Sequence, residues 1–358
     1  MRLRTAFLFF SVVAAIPVLA SDSAEDLIER GHYKRAEAMI RMQLQQNPDD
    51  PLANCLMSKI DVAFSRYDEA IAHAEKAVAA DNGSGKFHAQ LEDALGAKTG
   101  DPKAGMFQKM SVARRMRQEA EIALKLDPKN MDANEDLLEF YLEAPGIAGG
   151  GKDKARDLAV RATQSDPKLG YYLQAQVAQH EKHTEEAQRL LQQVIQADVN
   201  YYNAHVELAD VYLNRNPPEF SKAEEQARQA MKIEPLRIGA YASLTLILAK
   251  QGRWKEFDQA LADGEKNIPD NFAPHYQAGK AMLLSGDAQQ FTRAEACFRK
   301  YLTQEPEGGT PPLAAAHWRL GQVLEKEGRK DEARSELQAA LKLDPNLKEA
   351  QQDLKRLR

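Results

Sequence analysis

The chain repeats itself, and that repetition restricts its fold more than any motif in it. From Leu313 to Asn346 it reads as two apolar-faced helical stretches around a Gly-containing turn, and Asp344-Pro345 closes the second stretch. The same spacing of small and large apolar residues returns along most of the sequence. A unit of this size cannot bury its apolar face alone, so successive units must stack into a continuous core.

Each recurring position has a physical reason. In the last copy the series is His317, Leu320, Gly321, Leu324, Ala333, Leu337, Ala340 and Pro345. Gly321 and Ala333 fall where two helices approach closely, and the three leucines fill the space around them. Ala340 leaves room for the next unit. Pro345 lacks an N–H and disfavours helix in the residue before it, so it ends the second helix. Upstream, the register returns at Tyr241, Leu244, Phe257, Leu261 and Pro269, and at His205, Leu208, Ala223, Ala227 and Pro235. It returns again at Asn134, Leu137, Ala155, Ala159 and Pro167.

This series resembles the tetratricopeptide repeat, a helix–turn–helix unit of about 34 residues. The resemblance covers about residues 22 to 347 in nine degenerate copies. It implies an all-α, right-handed superhelical solenoid of about nine repeats. The polar stretch Leu347–Arg358, apolar only at Ala350, Leu354 and Leu357, suits a C-terminal capping helix. The expected division is a signal peptide over 1–20, the repeat solenoid over 21–347 and the cap over 348–358. Extra residues around Gly96–Met106 and Pro145–Gly151 are expected in loops, and the Pro306–Pro312 joint marks the expected bend.

The first twenty residues have another character. Arg2 and Arg4 precede an apolar run from Ala6 to Ile16, then Pro17 and Val18-Leu19-Ala20. This reads as a secretory signal with cleavage after Ala20. Ala6 to Ala20 falls short of the roughly 20 residues that span a bilayer. The expected protein is exported to a bacterial periplasm or cell envelope, with no membrane span after cleavage. Without Arg2 and Arg4 the 48 basic residues become 46 against 53 acidic, a net charge of −7. That balance and export both argue against nucleic acid as partner. The only cysteines, Cys55 and Cys297, lie six repeats apart and are expected to be free thiols.

The sequence nominates no catalytic site, cofactor or metal. Gly146–Asp153 imitates a phosphate-binding loop, but Asp153 replaces the required hydroxyl and a helix, not a strand, precedes it. It reads instead as a flexible hairpin tip. His88, His205, His275 and His317 share one register position in separate copies, which signifies packing. His180 and His183 lack a convergent third ligand.

The resemblance places the binding surface on the first helix of each repeat, facing the groove. There it selects Asp132, Glu135, Asp136, Glu139 and Glu143, then Glu207 and Asp210, with Tyr172, Tyr276, Trp318 and Arg319 as aromatic and basic neighbours. The Lys/Asn clamp that some family members use on a C-terminal carboxylate is absent: Lys59, Asp93 and Glu139 stand where Asn is needed. An acidic centre with aromatic anchors suits a basic, partly apolar segment. The expected function is a non-catalytic scaffold or adaptor. The alternatives are a self-assembling structural protein and an accessory subunit of an envelope enzyme or secretion complex.

Overall fold

The computed structural model describes residues 22–100 and 105–357, so the expected signal peptide lies outside the described residues. Among the described residues the chain is helical and contains no strand. The helices pair in order. The first three pairs are α1 (Ala24–Glu29) with α2 (Tyr33–Gln46), α3 (Pro51–Ala63) with α4 (Tyr67–Ala80), and α5 (Gly85–Thr99) with α6 (Met106–Leu126). The middle pairs are α7 (Met131–Glu143) with α8 (Lys152–Ser165), α9 (Pro167–His180) with α10 (Thr184–Ala197), and α11 (Tyr202–Leu213) with α12 (Phe220–Ile233). The last are α13 (Ile238–Lys250) with α14 (Trp254–Asn267), α15 (Ala273–Ser285) with α16 (Phe291–Tyr301), and α17 (Leu313–Lys326) with α18 (Lys330–Leu343). A single helix, α19 (Lys348–Arg356), follows.

Local chemistry sets the joints. The Asp50 side chain accepts from the Ala53 N–H at 2.7 Å and opens α3; Asn130 does the same for Ala133 at 2.9 Å and opens α7. Asp166 ends α8 and caps α9, with Pro167 in the first turn. Side-chain caps of this kind satisfy backbone donors that have no partner inside the helix.

Small residues let the helices of a pair meet. Ala155, Ala187, Ala223 and Ala333 have no exposed surface. A Cβ on Gly321 would lie 3.2 Å from the Ala333 carbonyl oxygen and 3.0 Å from Leu337 Cγ. The four register histidines tie helices together rather than gathering at one point. His88 Nδ1 lies 2.7 Å from Glu119, His205 Nδ1 2.7 Å from Gln226 and His317 Nδ1 2.6 Å from Glu336. His275 reaches back instead, to Glu265 of the preceding pair at 2.9 Å. From Tyr172 to Leu357 most of the buried apolar residues form one continuous core. Helix α19 closes it with Ala350 and Leu357 buried, while Asp353 accepts from the Trp318 indole at 2.8 Å.

Three features depart from the sequence reading. Part of the expected loop around Gly96–Met106 is helical, because α5 runs to Thr99 and α6 has 21 residues where most second helices have 14. The Pro145–Gly151 tip is a packed turn rather than a flexible one. A short 3-10 helix spans Gly146–Ala148, and a Cβ on Gly150 would fall 1.8 Å from the Ala144 carbonyl oxygen.

The third departure is the largest. The stack returns on itself, so repeats touch others besides their sequence neighbours. The Pro306–Pro312 joint rests on the end of α3: Glu307 is buried and accepts from the Lys34 N–H at 3.1 Å, and Gly308 lies against Ala63. Beside it, Arg35 Nε donates to Asp270 at 2.6 Å and His32 Nδ1 lies 3.2 Å from the same carboxylate. Burial would raise the Asp270 carboxyl, but the hydrogen bonds from His32 and Arg35 outweigh it and hold it well below the usual range. Cys55 and Cys297 are buried and unpaired, and burial pushes their thiols up to about 11 and about 12. Thiols held protonated in this way are poor nucleophiles at neutral pH.

Candidate functional site: the inner face

The first helices of the early and middle repeats turn one face inward, and the return of the stack narrows the space they enclose. A cavity of about 400 Å³ remains there. Tyr33, Lys59, Lys86, Asp132, Glu135 and Arg237 are among its lining residues. They come from five different repeats, and Arg237 belongs to the turn before α13.

Ion pairs cross this space. Lys59 reaches Asp132 at 2.7 Å, and Lys86 pairs with Glu25. Burial would lower the Lys59 ammonium, but Asp132 and Asp93 overcome that and raise it. Arg237 lies 4.3 Å above the Tyr202 ring.

Behind this layer the acids are desolvated. Glu92 has 0% exposure and faces Asp136. Burial first, and then Asp136 and Asp93, holds the Glu92 carboxyl well above the usual range, and burial and the charge of Asp93 raise Asp136 well above it against a hydrogen bond with Glu92. Two ionised carboxylates offer each other no donor, whereas a proton on one supplies a hydrogen bond. Burial also pushes Asp93 up to about 6, against a 2.9 Å hydrogen bond from Gln90 and the charge of Lys59. Glu135 is raised by burial and accepts from Gln176 at 2.7 Å. Glu207 is pushed up to about 7 by burial, although the Tyr172 hydroxyl and Gln179 both donate to it. Asp210 is raised by burial too.

Residues 283–347 match the tetratricopeptide repeat family. The chain has the fold of a tetratricopeptide repeat solenoid. Its architecture is similar to yeast Tom70, which it matches at 13% identity and a TM-score of 0.51 over 93% of this chain and 86% of that one. At that identity the likeness is one of fold. A tetratricopeptide repeat protein of Parabacteroides merdae matches at 14% identity and a TM-score of 0.45, over 74% of this chain and 98% of that one. A thermophilic one of Thermus thermophilus matches at 16% identity and a TM-score of 0.45, over 53% of this chain and 95% of that one. No curated protein matches the chain.

Within this fold the residues expected in the groove divide into three groups. Asp132, Glu135, Asp136, Tyr172, Glu207 and Asp210 form one band across the repeats from α7 to α12, though Tyr172 is buried beneath it with its ring edge against Tyr201. Glu139 and Glu143 are exposed further along α7, and Glu143 lies 3.2 Å from His180.

The remaining three lie elsewhere. Tyr276, expected to face the groove, is only 5% exposed and packs against Phe298 and Tyr301 in the core. On the same helix Gly279 leaves room for the Phe298 ring, which a Cβ there would meet at 3.1 Å. Trp318 is committed to the cap through Asp353, and the Arg319 guanidinium lies 3.9 Å from its ring. Glu92, Tyr33, Lys86 and Arg237 were not selected from sequence. Only the return of the stack brings Arg237 and Tyr33 to the same cavity.

The Gly146–Gly151 segment does not form a phosphate cradle. Its N–H groups are used internally: Gly149 donates to Gly146 at 3.0 Å, Gly150 to Pro145 at 3.3 Å and Gly151 to Tyr141 at 2.8 Å. Among the described residues no cluster of His, Cys, Asp and Glu has the arrangement to hold a metal ion. No helix among them is long and apolar enough to cross a membrane.

Proposed function

We propose that this protein is a non-catalytic adaptor of the bacterial cell envelope that takes a basic partner segment on its inner face. The reading rests on one observation above the others. Helix α7 carries Asp132, Glu135, Asp136, Glu139 and Glu143 on its inner side, and the outer members of that row are exposed. Stacked helical repeats present extended concave surfaces of the kind that bind peptides and partner helices. A cavity of about 400 Å³ suits one or two inserted side chains rather than a whole buried segment. A basic side chain would compete with Lys59 for Asp132, while the rest of the segment runs along Glu139 and Glu143. Export rests on the Arg2–Ala20 pattern alone. End-to-end self-assembly is less well supported, because α19 covers the last repeat.

The deciding experiment is affinity capture from envelope extract with residues 21–358 as bait. Its partner bait carries Glu139→Lys and Glu143→Lys, both at exposed positions that should leave folding intact. A protein retained by the first and lost by the second identifies the partner and the site. Equal retention by both baits removes the inner face from consideration.

A further inference from the structure

The first two turns of α6 belong to no part of the stack. Buried residues on this helix begin at Ala113, and the turns before it expose their apolar side chains: Met106 at 73%, Phe107 at 90%, with Met110 also exposed. The 3-10 turn of the next repeat packs against α6 and presents Ile147 at 89% exposure. Both segments connect the two helices of a repeat, and the repeats are neighbours, so both lie on one edge of the solenoid. Isolated apolar residues on a surface require no explanation, but a contiguous patch does.

The charge beside the patch is one-sided. From Met106 to Arg117 the chain carries Lys109, Arg114, Arg115 and Arg117 and no acid, within a protein of net charge −5. Arg115 is paired with Glu75 at 2.7 Å and Arg117 with Glu121 at 3.5 Å. Phe107, Met110 and Arg114 are spaced i, i+3, i+7 and share one outward stripe. At 1.5 Å per residue, Arg114 stands about 10 Å behind Phe107.

We propose that this edge docks the protein on an anionic membrane surface. Phe107, Met106 and Ile147 enter the boundary between headgroups and acyl chains, and Lys109 and Arg114 meet the phosphates behind them. Two properties favour a membrane over a protein groove. The feature is a projecting wedge, and Arg114 stands behind its apolar tip by about the depth of an interfacial insertion, roughly 5–10 Å. A basic flank strengthens apolar anchoring only when the opposite surface is anionic. The inference is independent of the inner-face reading.

The test is cosedimentation of residues 21–358 with vesicles of equal parts phosphatidylcholine and phosphatidylglycerol, beside vesicles of phosphatidylcholine alone. Binding is expected to the first and to be lost in high salt. A variant with Phe107→Asp and Ile147→Asp should bind at least about tenfold more weakly while melting like the parent, since neither side chain is buried. Lys109→Glu with Arg114→Glu should weaken binding too, and Glu139→Lys with Glu143→Lys should not. Excess inorganic phosphate should not compete; competition would indicate a free-anion site and overturn the proposal. Equal binding to both vesicle types, or undiminished binding by the Phe107 and Ile147 variant, would also overturn it. So would self-association without vesicles that Phe107→Asp abolishes, because the patch would then cover a second copy.

Discussion

The Gly309 N–H donates to the Ala63 carbonyl oxygen at 2.8 Å, joining the last connection of the stack to the second repeat. A Cβ on the preceding Gly308 would fall 2.7 Å from Ala63 Cβ and 3.2 Å from its carbonyl carbon. Gly308→Val should therefore push the joint away from α3. The expected result is a larger radius of gyration by small-angle scattering and a loss of about 1–3 kcal/mol in stability. An unchanged radius would mean that the contact does not set the shape.

The buried acids predict a pH dependence with a definite sign. Glu207 keeps its proton up to about 7 in the folded protein, whereas in the unfolded chain it ionises near its usual value of 4.5. The unfolded state therefore gives up its proton first, and the stability that this group contributes at low pH is lost as pH rises from about 4.5 to about 7. Glu92 and Asp136 act in the same direction. Glu207→Gln should flatten the dependence between pH 5 and 8, measured as urea midpoints, and its advantage should appear only at the upper end. A variant that tracks the parent at every pH would contradict this account.

Close approach inside a repeat can be tested at Gly321. Leucine there would collide with Leu337 and with the backbone of Ala333. Overpacking of this kind costs about 1–3 kcal/mol. Calorimetry should show a lower Tm with the helical circular-dichroism signal largely kept.

The cap has its own reporter. Trp318 is one of only two tryptophans, and Asp353 of α19 accepts from its indole. In a Trp254→Phe background, removing residues 348–358 should shift the remaining emission to the red. Constant emission would show that the indole is shielded without α19.

Nucleotide titration offers a fifth check. The Gly149, Gly150 and Gly151 N–H groups are already engaged, so ATP and inorganic phosphate should give no saturable heat, and Lys152→Ala should change nothing. Saturable binding lost in that variant would require the loop to rearrange.

The repeats were legible because their signals are local. Gly321 opposite Ala333, Asp166 before Pro167 and the recurring leucines each act within one or two turns of chain. The histidine register carried the same information, and all four histidines serve in packing. The inner band from Asp132 to Asp210 was partly legible, since helical spacing fixes which side of α7 and α11 a carboxylate occupies. Spacing does not fix depth, however. Tyr172 and Tyr276 have the register of groove residues, yet each is buried. The contact of Gly309 with Ala63 was not legible at all. It depends on small rotations accumulated over many repeats, and no residue encodes that sum.

An untied stack of repeats unravels from its ends, because each terminal unit has one neighbour and interior units have two. Here Lys34, Arg35 and Ala63 give the first two repeats an additional neighbour through Asp270, Glu307 and Gly309. Amide hydrogens of α2 and α3 should therefore exchange with solvent at rates typical of the middle of the chain. The fastest-exchanging helical amides would then be in α19, which has a single neighbouring layer and no tie to the rest of the ring.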